Sequence, residues 1–153
     1  MKNSGNRSIE KKMIEGNIGN GGIGVITAFL LSQKHNIQSP IRFYVDTGAS
    51  QTLICDSDAK RIGIDYNKLP RSPTPVCGIG GDVCAYDLDN CMLVFNRGGG
   101  LQIEYLDSVL ILRHEFDSEK DRAKIMVLPS LLGLDILKRY RLSFCNYSVR
   151  LEK

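Results

Sequence analysis

One carboxylic acid stands at the end of an apolar run and opens a polar, glycine-containing turn, in residues 43–50 (FYVDTGAS). The alternation of apolar and polar residues before Asp46 is typical of a strand with one buried face. Gly48 allows the chain to reverse direction, and the hydroxyls of Thr47 and Ser50 can fix the turn through local hydrogen bonds. An acid held in such a turn can exchange protons with a substrate. In the alternative interpretation, Asp46 only closes an ordinary hairpin.

A second segment, residues 76–83 (VCGIGGDV), has three glycines around one isoleucine, between flanks of β-type residues. Gly78, Ile79, Gly80 and Gly81 form the predicted tip of a hairpin. Glycine lets such a tip bend easily and lets backbone N–H groups approach a ligand closely.

A third segment, residues 128–140 (LPSLLGLDILKRY), combines an apolar strand end, a glycine and a predicted short helix over 134–140. Asp135 falls in the first turn of this helix, and Lys138 and Arg139 fall in its last turn. The helix dipole favours this order of charges, so we expect Asp135 to stabilise the helix start.

In this order, the three segments resemble the retropepsin family, the retroviral-type aspartic peptidases and their cellular and prokaryotic relatives. Residues 46–49 (DTGA) and 78–81 (GIGG) match the family closely, and residues 131–135 (LLGLD) match its pattern less specifically. Residues 57–64 also look like the short helix of cellular members. The resemblance covers about residues 22 to 152. It implies an all-β, closed barrel-like retropepsin (acid protease) fold with one or two short helices, assembled as a homodimer.

The resemblance further implies an aspartic-type endopeptidase that hydrolyses peptide bonds in extended polypeptide segments. This chemistry uses two carboxylates that share a proton and hold a water between them. The chain has one such motif and no convincing internal repeat, so two copies must each supply one acid. The implied site has Asp46 as the catalytic residue, paired with its symmetry mate. Thr47, Gly48 and Ala49 form the active-site loop, and residues 78–81 form a flap that binds substrate. No metal or other cofactor is required.

Composition adds few constraints. The chain has 153 residues, 42% of them hydrophobic, which fits one domain of ordinary size. Its net charge of +3 is too small and too scattered to indicate nucleic-acid binding. The N-terminus lacks the apolar core of a signal peptide, and the five cysteines form no disulfide-like framework. We expect a cytoplasmic protein whose partners are a protein or peptide substrate and a second copy, with no nucleic acid and no membrane.

The coarse pattern divides the chain into two parts. Residues 1–21 are polar and rich in glycine, and we interpret them as a flexible N-terminal arm; residues 22–153 form the peptidase domain. Residues 114–122 are interpreted as a charged surface loop. The predicted strands are 23–33, 40–46, 52–55, 74–77, 83–95, 101–112, 124–128, 141–145 and 148–152.

Two further groups of residues are assigned no chemistry. Cys77, Cys84 and Cys91 recur every seven residues, whereas tetrahedral zinc sites usually pair ligands that are two to four residues apart. His35 and His114 lie in polar loops with no nucleophile beside them, so we expect solvated side chains.

Two alternatives to a peptidase stay open at this point. One is a catalytically silent module with a retropepsin fold that dimerises or binds extended peptides, since a fold does not fix a function. The other is a small, unrelated β-barrel binding domain in which Asp46 is only a turn residue.

Overall fold

A computed structural model of the chain describes residues 13–78 and 81–153. Within these residues there are ten strands and three short α-helices. The strands are β1 Ile14–Ile18, β2 Gly24–Ser32, β3 Ile37–Val45, β4 Leu53–Ile54, β5 Val76–Gly78, β6 Gly81–Asn96, β7 Leu101–Arg113, β8 Ser130–Leu132, β9 Arg141–Cys145 and β10 Ser148–Glu152. The helices are α1 Asp56–Arg61, α2 Glu119–Ile125 and α3 Leu134–Leu137, with short 3₁₀ turns at Asn20–Gly22 and Tyr66–Lys68.

The strands form one sheet that closes on itself. Its order is β5-β6-β7-β4-β8-β3-β2-β1-β10-β9, and β6 pairs with β2 as well, which joins six of the strands into a ring. Most neighbours are antiparallel, but β3 with β8 and β4 with β7 are parallel. The predicted all-β, barrel-like fold is confirmed, and β1, β10 and β9 extend the sheet beyond the ring.

The core fills the inside of this ring with alternate residues of each strand. Phe43 on β3 and Phe95 on β6 are both completely buried. Their neighbours Arg42 and Asn96 are exposed, as the two-residue period of a strand requires. Burying one such large apolar side chain contributes about 1.5–3 kcal/mol. The strand that precedes Asp46 is therefore held in place by well-packed core side chains.

A second, smaller apolar group, here called the minor cluster, lies beside the main core. Its buried members are Leu53, Cys55, Ala85, Leu110 and Leu112, and the half-buried Val76, Val83 and Leu131 pack against them. The minor cluster thus joins the base of the glycine-rich hairpin to β4 and β8.

The N-terminal segment differs from the predicted flexible arm. Residues 14–18 form β1, which pairs with both β10 and β2, and Ile14 is buried. Gly16 permits this close packing, because a Cβ there would lie 2.1 Å from the carbonyl oxygen of Val25. Residues 1–12 of the predicted arm lie outside the described residues.

The predicted strand over 124–128 is wrong. These residues contain the end of α2 and the connection that follows it. Ser118 caps the helix, since its side chain accepts a hydrogen bond from the N–H of Asp121. Acidic residues in the first turn and basic residues in the last turn favour the helix further. The cap and the charges at the helix ends outweigh the strand preference of the β-branched Ile125 and Val127. The predicted loop over 114–122 is also partly wrong, because its last residues belong to α2.

Candidate active site

Asp46 follows β3 directly and is half-buried in a tight turn. Its Oδ1 accepts a hydrogen bond of 2.8 Å from the N–H of Gly48, and its main-chain carbonyl accepts one of 3.3 Å from Ala49. Its own N–H donates to the carbonyl of Leu132 at 3.1 Å. Among the described residues, Oδ2 makes no hydrogen bond. The carboxylate is therefore oriented through Oδ1, and Oδ2 is available to a further hydrogen-bond donor.

The segment after β8 runs against the loop that carries Asp46. Gly133 fits there because it has no side chain: a Cβ would lie 2.4 Å from the carbonyl carbon of Gln51 and 2.8 Å from the nitrogen of Thr52. Three N–H groups of this segment donate to the loop. They are Gly133 to Thr52 Oγ1 (3.1 Å), Leu134 to the carbonyl of Ala49 (2.8 Å) and Asp135 to the carbonyl of Ser50 (3.2 Å).

Asp135 does more than stabilise the start of a helix. Its Oδ1 accepts the N–H of Ile136 at 2.9 Å, in keeping with the expected position. The same oxygen accepts the hydroxyl of Thr52 at 2.7 Å, and Oδ2 accepts the Thr52 N–H at 3.0 Å. Sequence reasoning missed this pair. One signal in the sequence is that Thr52 stands just before an apolar strand. A threonine there is expected to be buried, and a buried hydroxyl requires a hydrogen-bond partner.

The glycine-rich segment forms a hairpin of β5 and β6. Its register pairs Val76 with Val83 and Gly78 with Gly81, and Gly81 has a φ of 103°, which favours glycine. Ile79 and Gly80, the centre of the predicted flap, lie outside the described residues. At the hairpin base, Val76 and Val83 pack against the minor cluster.

The three predicted segments meet through β8. Leu131 belongs to the rim of the minor cluster and pairs with Tyr44, two residues before Asp46. Leu132 accepts the Asp46 N–H. The structure therefore brings the LLGLD segment to the loop that carries the acid, and the minor cluster links the base of the hairpin to that segment.

Helix α1 is fixed to β8 by a buried serine. The Ser130 hydroxyl donates to Asp58 at 2.7 Å and accepts the N–H of Cys55 at 3.1 Å. Burial, and then the nearby Asp56 and Asp58, raise the pKa of the Cys55 thiol to about 12. The thiol also donates to the carbonyl of Pro129 at 3.0 Å, so burial and bonding both favour a structural role.

The expectation of solvated histidines is wrong. His114 Nδ1 lies 2.5 Å from Asp56 Oδ2, and its backbone N–H donates to the other oxygen of Asp56 at 2.9 Å. His35 Nε2 lies 3.1 Å from Asp89 Oδ1. Both rings are mostly buried. Each histidine thus fixes a loop to a neighbouring acid, which is not predictable from local sequence.

Glu104 on β7 is a buried acid away from Asp46. Its carboxylate accepts hydrogen bonds from Arg139 (2.8 Å), Lys153 (2.7 Å) and the Tyr140 hydroxyl. Burial alone would raise its pKa, but the bonds from Lys153, Tyr140 and Arg139 outweigh burial and lower the pKa to about 2. The group ties β7 to the segment after α3 and to the end of β10.

Metal-binding geometry is not found in the described residues, where no three His, Cys, Asp or Glu side chains are grouped to hold an ion. Cys77, Cys84 and Cys91 are free thiols. No helix in the described part of the chain is long and apolar enough to span a membrane.

We compared the chain with protein-family models, curated proteins and solved structures. Residues 32–87 match the sequence model of a family described as "Aspartyl protease". A search of curated proteins gives no match. Among solved structures, the chain is similar to a retropepsin-like aspartic protease from Rickettsia conorii, with 22% identity, a TM-score of 0.55, and coverage of 91% of this chain and 89% of that one. The EIAV protease, solved with an inhibitor, matches at 15% identity over 79% of this chain and 90% of its own length, with a TM-score of 0.49.

These matches confirm the resemblance to retropepsin-like aspartic peptidases. The matched family segment contains both Asp46 and the glycine-rich hairpin, and the match supports a peptidase in general terms. The likeness to the Rickettsia structure concerns the fold alone.

Proposed function

We propose that the chain is an aspartic endopeptidase that cleaves extended polypeptide segments as a homodimer, with one Asp46 from each copy in a shared site. The observation that carries the proposal is the geometry of Asp46. Its carboxylate is oriented by the Gly48 N–H at 2.8 Å in a retropepsin-like fold, and Oδ2 is left for chemistry. The family match over residues 32–87 supports the same activity.

In this mechanism, one Asp46 is ionised and its mate is protonated, because two adjacent carboxylates cannot both ionise. The ionised acid takes a proton from the bound water, whose oxygen attacks the scissile carbonyl carbon. The protonated acid donates to the carbonyl oxygen, giving a tetrahedral diol. When the C–N bond breaks, the leaving nitrogen takes the proton that the first Asp46 removed from water. The second Asp46 takes a proton back from a diol hydroxyl, which leaves the carboxyl product and restores one ionised and one protonated acid.

A second copy is required because the chain has one catalytic motif. Thr47 and Gly48 are exposed at the tip of the turn, so they are accessible to a second copy across a two-fold axis. The Gly48 N–H already donates to Asp46, so the Gly48 carbonyl is the backbone group that can accept a hydrogen bond from substrate. We assign Ala49 to the same loop through its bond to the Asp46 carbonyl.

We assign residues 78–81 to a flap over the substrate. A chain lying between this hairpin and the active-site turn could pair with the hairpin as an added strand. Closure of the flap would exclude bulk water from the reacting carbonyl. We also propose a reducing cytoplasmic setting, which agrees with the free thiols of Cys55, Cys77, Cys84, Cys91 and Cys145.

The replacement Asp46→Asn tests this function. It keeps the size of the side chain and an oxygen that can accept the Gly48 N–H, but it removes the base. We expect cleavage of a peptide library, measured by mass spectrometry of the products, to fall to background while the thermal unfolding midpoint stays close to that of the wild type. The matched control is Asp65→Asn, a second acid that accepts a backbone N–H two residues on, in an exposed 3₁₀ turn.

Asp65→Asn should cleave the same peptides at the wild-type rate. Undiminished cleavage by Asp46→Asn would refute the assignment of Asp46. A folded wild-type dimer that cleaves no peptide, but binds extended peptides, would instead support the catalytically silent module.

A further inference from the structure

We propose that Asp135 is a positioning residue of the active site, which acts through Thr52 to hold the Asp46 loop in the geometry that catalysis needs. The inference rests on the proposed function and assigns a role to an acid outside the catalytic motif.

The short segment from Leu132 to Asp135 holds both ends of the Asp46 loop. At the start of the loop, the Asp46 N–H donates to the carbonyl of Leu132 at 3.1 Å. At the end, Thr52 donates both its N–H and its hydroxyl to Asp135. The loop between these two points therefore cannot shift without breaking bonds to one segment.

A carboxylate is required at position 135 because its surroundings are all donors. Oδ2 faces the Thr52 N–H, and Oδ1 faces both the Thr52 hydroxyl and the N–H of Ile136. Thr52 is completely buried, and its oxygen already accepts the N–H of Gly133. Water therefore cannot replace a lost acceptor without rearrangement of the loop.

An asparagine at position 135 cannot satisfy all three donors in either orientation. If its NH₂ group faces the Thr52 N–H, two donors oppose each other. If it faces the other side, both the Thr52 hydroxyl and the Ile136 N–H lose their acceptor. The substitution is nearly isosteric, so its effect reports on hydrogen bonding and not on volume.

The expected kinetic effect is on kcat. Both carboxylate oxygens of Asp135 are bonded to Thr52 and Ile136, so we expect substrate binding to be nearly unchanged. A small displacement of a reacting group, by contrast, slows the chemical step. We expect kcat of Asp135→Asn to fall about 10- to 100-fold with little change in KM. Thr52→Val, which removes the hydroxyl and keeps the shape, should act in the same direction. Thr52→Ser keeps both donors and should retain most of the activity.

The experiment measures two properties of each variant, with Asp65→Asn as the control substitution. The first is backbone hydrogen–deuterium exchange over residues 46–52, which requires no activity. The second is kcat and KM on a peptide substrate identified for the wild type, per mole of folded dimer. We expect faster exchange in this loop for Asp135→Asn and Thr52→Val, and wild-type exchange for Asp65→Asn.

The outcomes separate this inference from the proposed function. Wild-type protein that cleaves nothing refutes the function, and unchanged loop exchange in Asp135→Asn then refutes the positioning role as well. Active wild type with an unchanged kcat in Asp135→Asn overturns the positioning role alone. If Asp135→Asn and Thr52→Val both fail to fold where the wild type is native, the pair serves core stability, and the proposal is also overturned.

Discussion

Thr52 donates two hydrogen bonds to Asp135, a residue 83 positions further along the chain. The hydroxyl bond is 2.7 Å long and the N–H bond is 3.0 Å long. The Asp46 loop is therefore held by a segment that is separated from it along the chain by β5, β6, β7 and α2. The position of Asp46 thus depends on contacts with this distant segment, and under the proposed function small changes there should affect catalysis.

The most direct of these changes is Gly133→Ala. The added methyl group would clash with the backbone of Gln51. Unlike a flexible side chain, this backbone cannot relieve the clash by changing rotamer. We expect roughly 1–3 kcal/mol of lost unfolding free energy, as is typical of overpacking. Activity per folded molecule should fall as well, because the displaced backbone belongs to the Asp46 loop. Urea unfolding followed by circular dichroism measures the first effect.

Gly100→Ala is the matched control, since nothing lies within 4 Å of the position where its Cβ would stand. It should unfold with the wild-type midpoint. Equal stability of the two alanine variants would contradict the close approach of Gly133 to the loop.

Glu104→Gln should make the protein less stable at neutral pH. The pKa of Glu104 is about 2 in the fold, below its ordinary value of 4.5, so its ionised form is stabilised by folding. This stabilisation is fully present above about pH 4.5 and is lost as the pH falls through about 2. We expect a loss on the order of 2 kcal/mol at pH 7, allowing for the partly exposed Lys153 and Arg139.

Urea titrations between pH 2 and pH 7 test this expectation. The difference between wild type and Glu104→Gln should narrow as the pH falls below 4.5. Glu119→Gln changes an acid whose side chain is 85% exposed and should stay close to the wild type at each pH. A pH-independent difference for Glu104→Gln would contradict the ionised network.

Much of the fold is predictable because alternation and glycine turns act locally. The long hairpin strands expected at 83–95 and 101–112 correspond to β6 and β7, and the glycines at 98–100 lie in the turn between them. The hairpin predicted around residues 78–81 corresponds to β5 and β6, which pair Gly78 with Gly81. The strand pattern before Asp46 and the glycine after it likewise predict the turn in which Asp46 lies.

The remainder depends on contacts between distant residues. Residues 14–18 contain the polar Glu15 and Asn17, so only their pairing with β10 and β2 shows that they form a strand. The segment 124–128 has a β-type composition, but the capped helix before it determines its structure. The proposed role of Asp135 could not be predicted from the sequence, because it depends on the position of Thr52, which no local pattern gives.

The measurement that tests the central claim most directly mixes wild-type chains with Asp46→Asn chains under conditions that allow subunit exchange. If each site needs one Asp46 from each copy, a mixed dimer has one carboxylate and cannot divide the acid and base roles. With equal amounts and random pairing, activity should fall to about one quarter of that of wild-type chains alone at the same total concentration, and it should follow the square of the wild-type fraction. Activity that follows the wild-type fraction linearly, with exchange demonstrated by native mass spectrometry, would contradict the shared site and require a second catalytic acid within one chain.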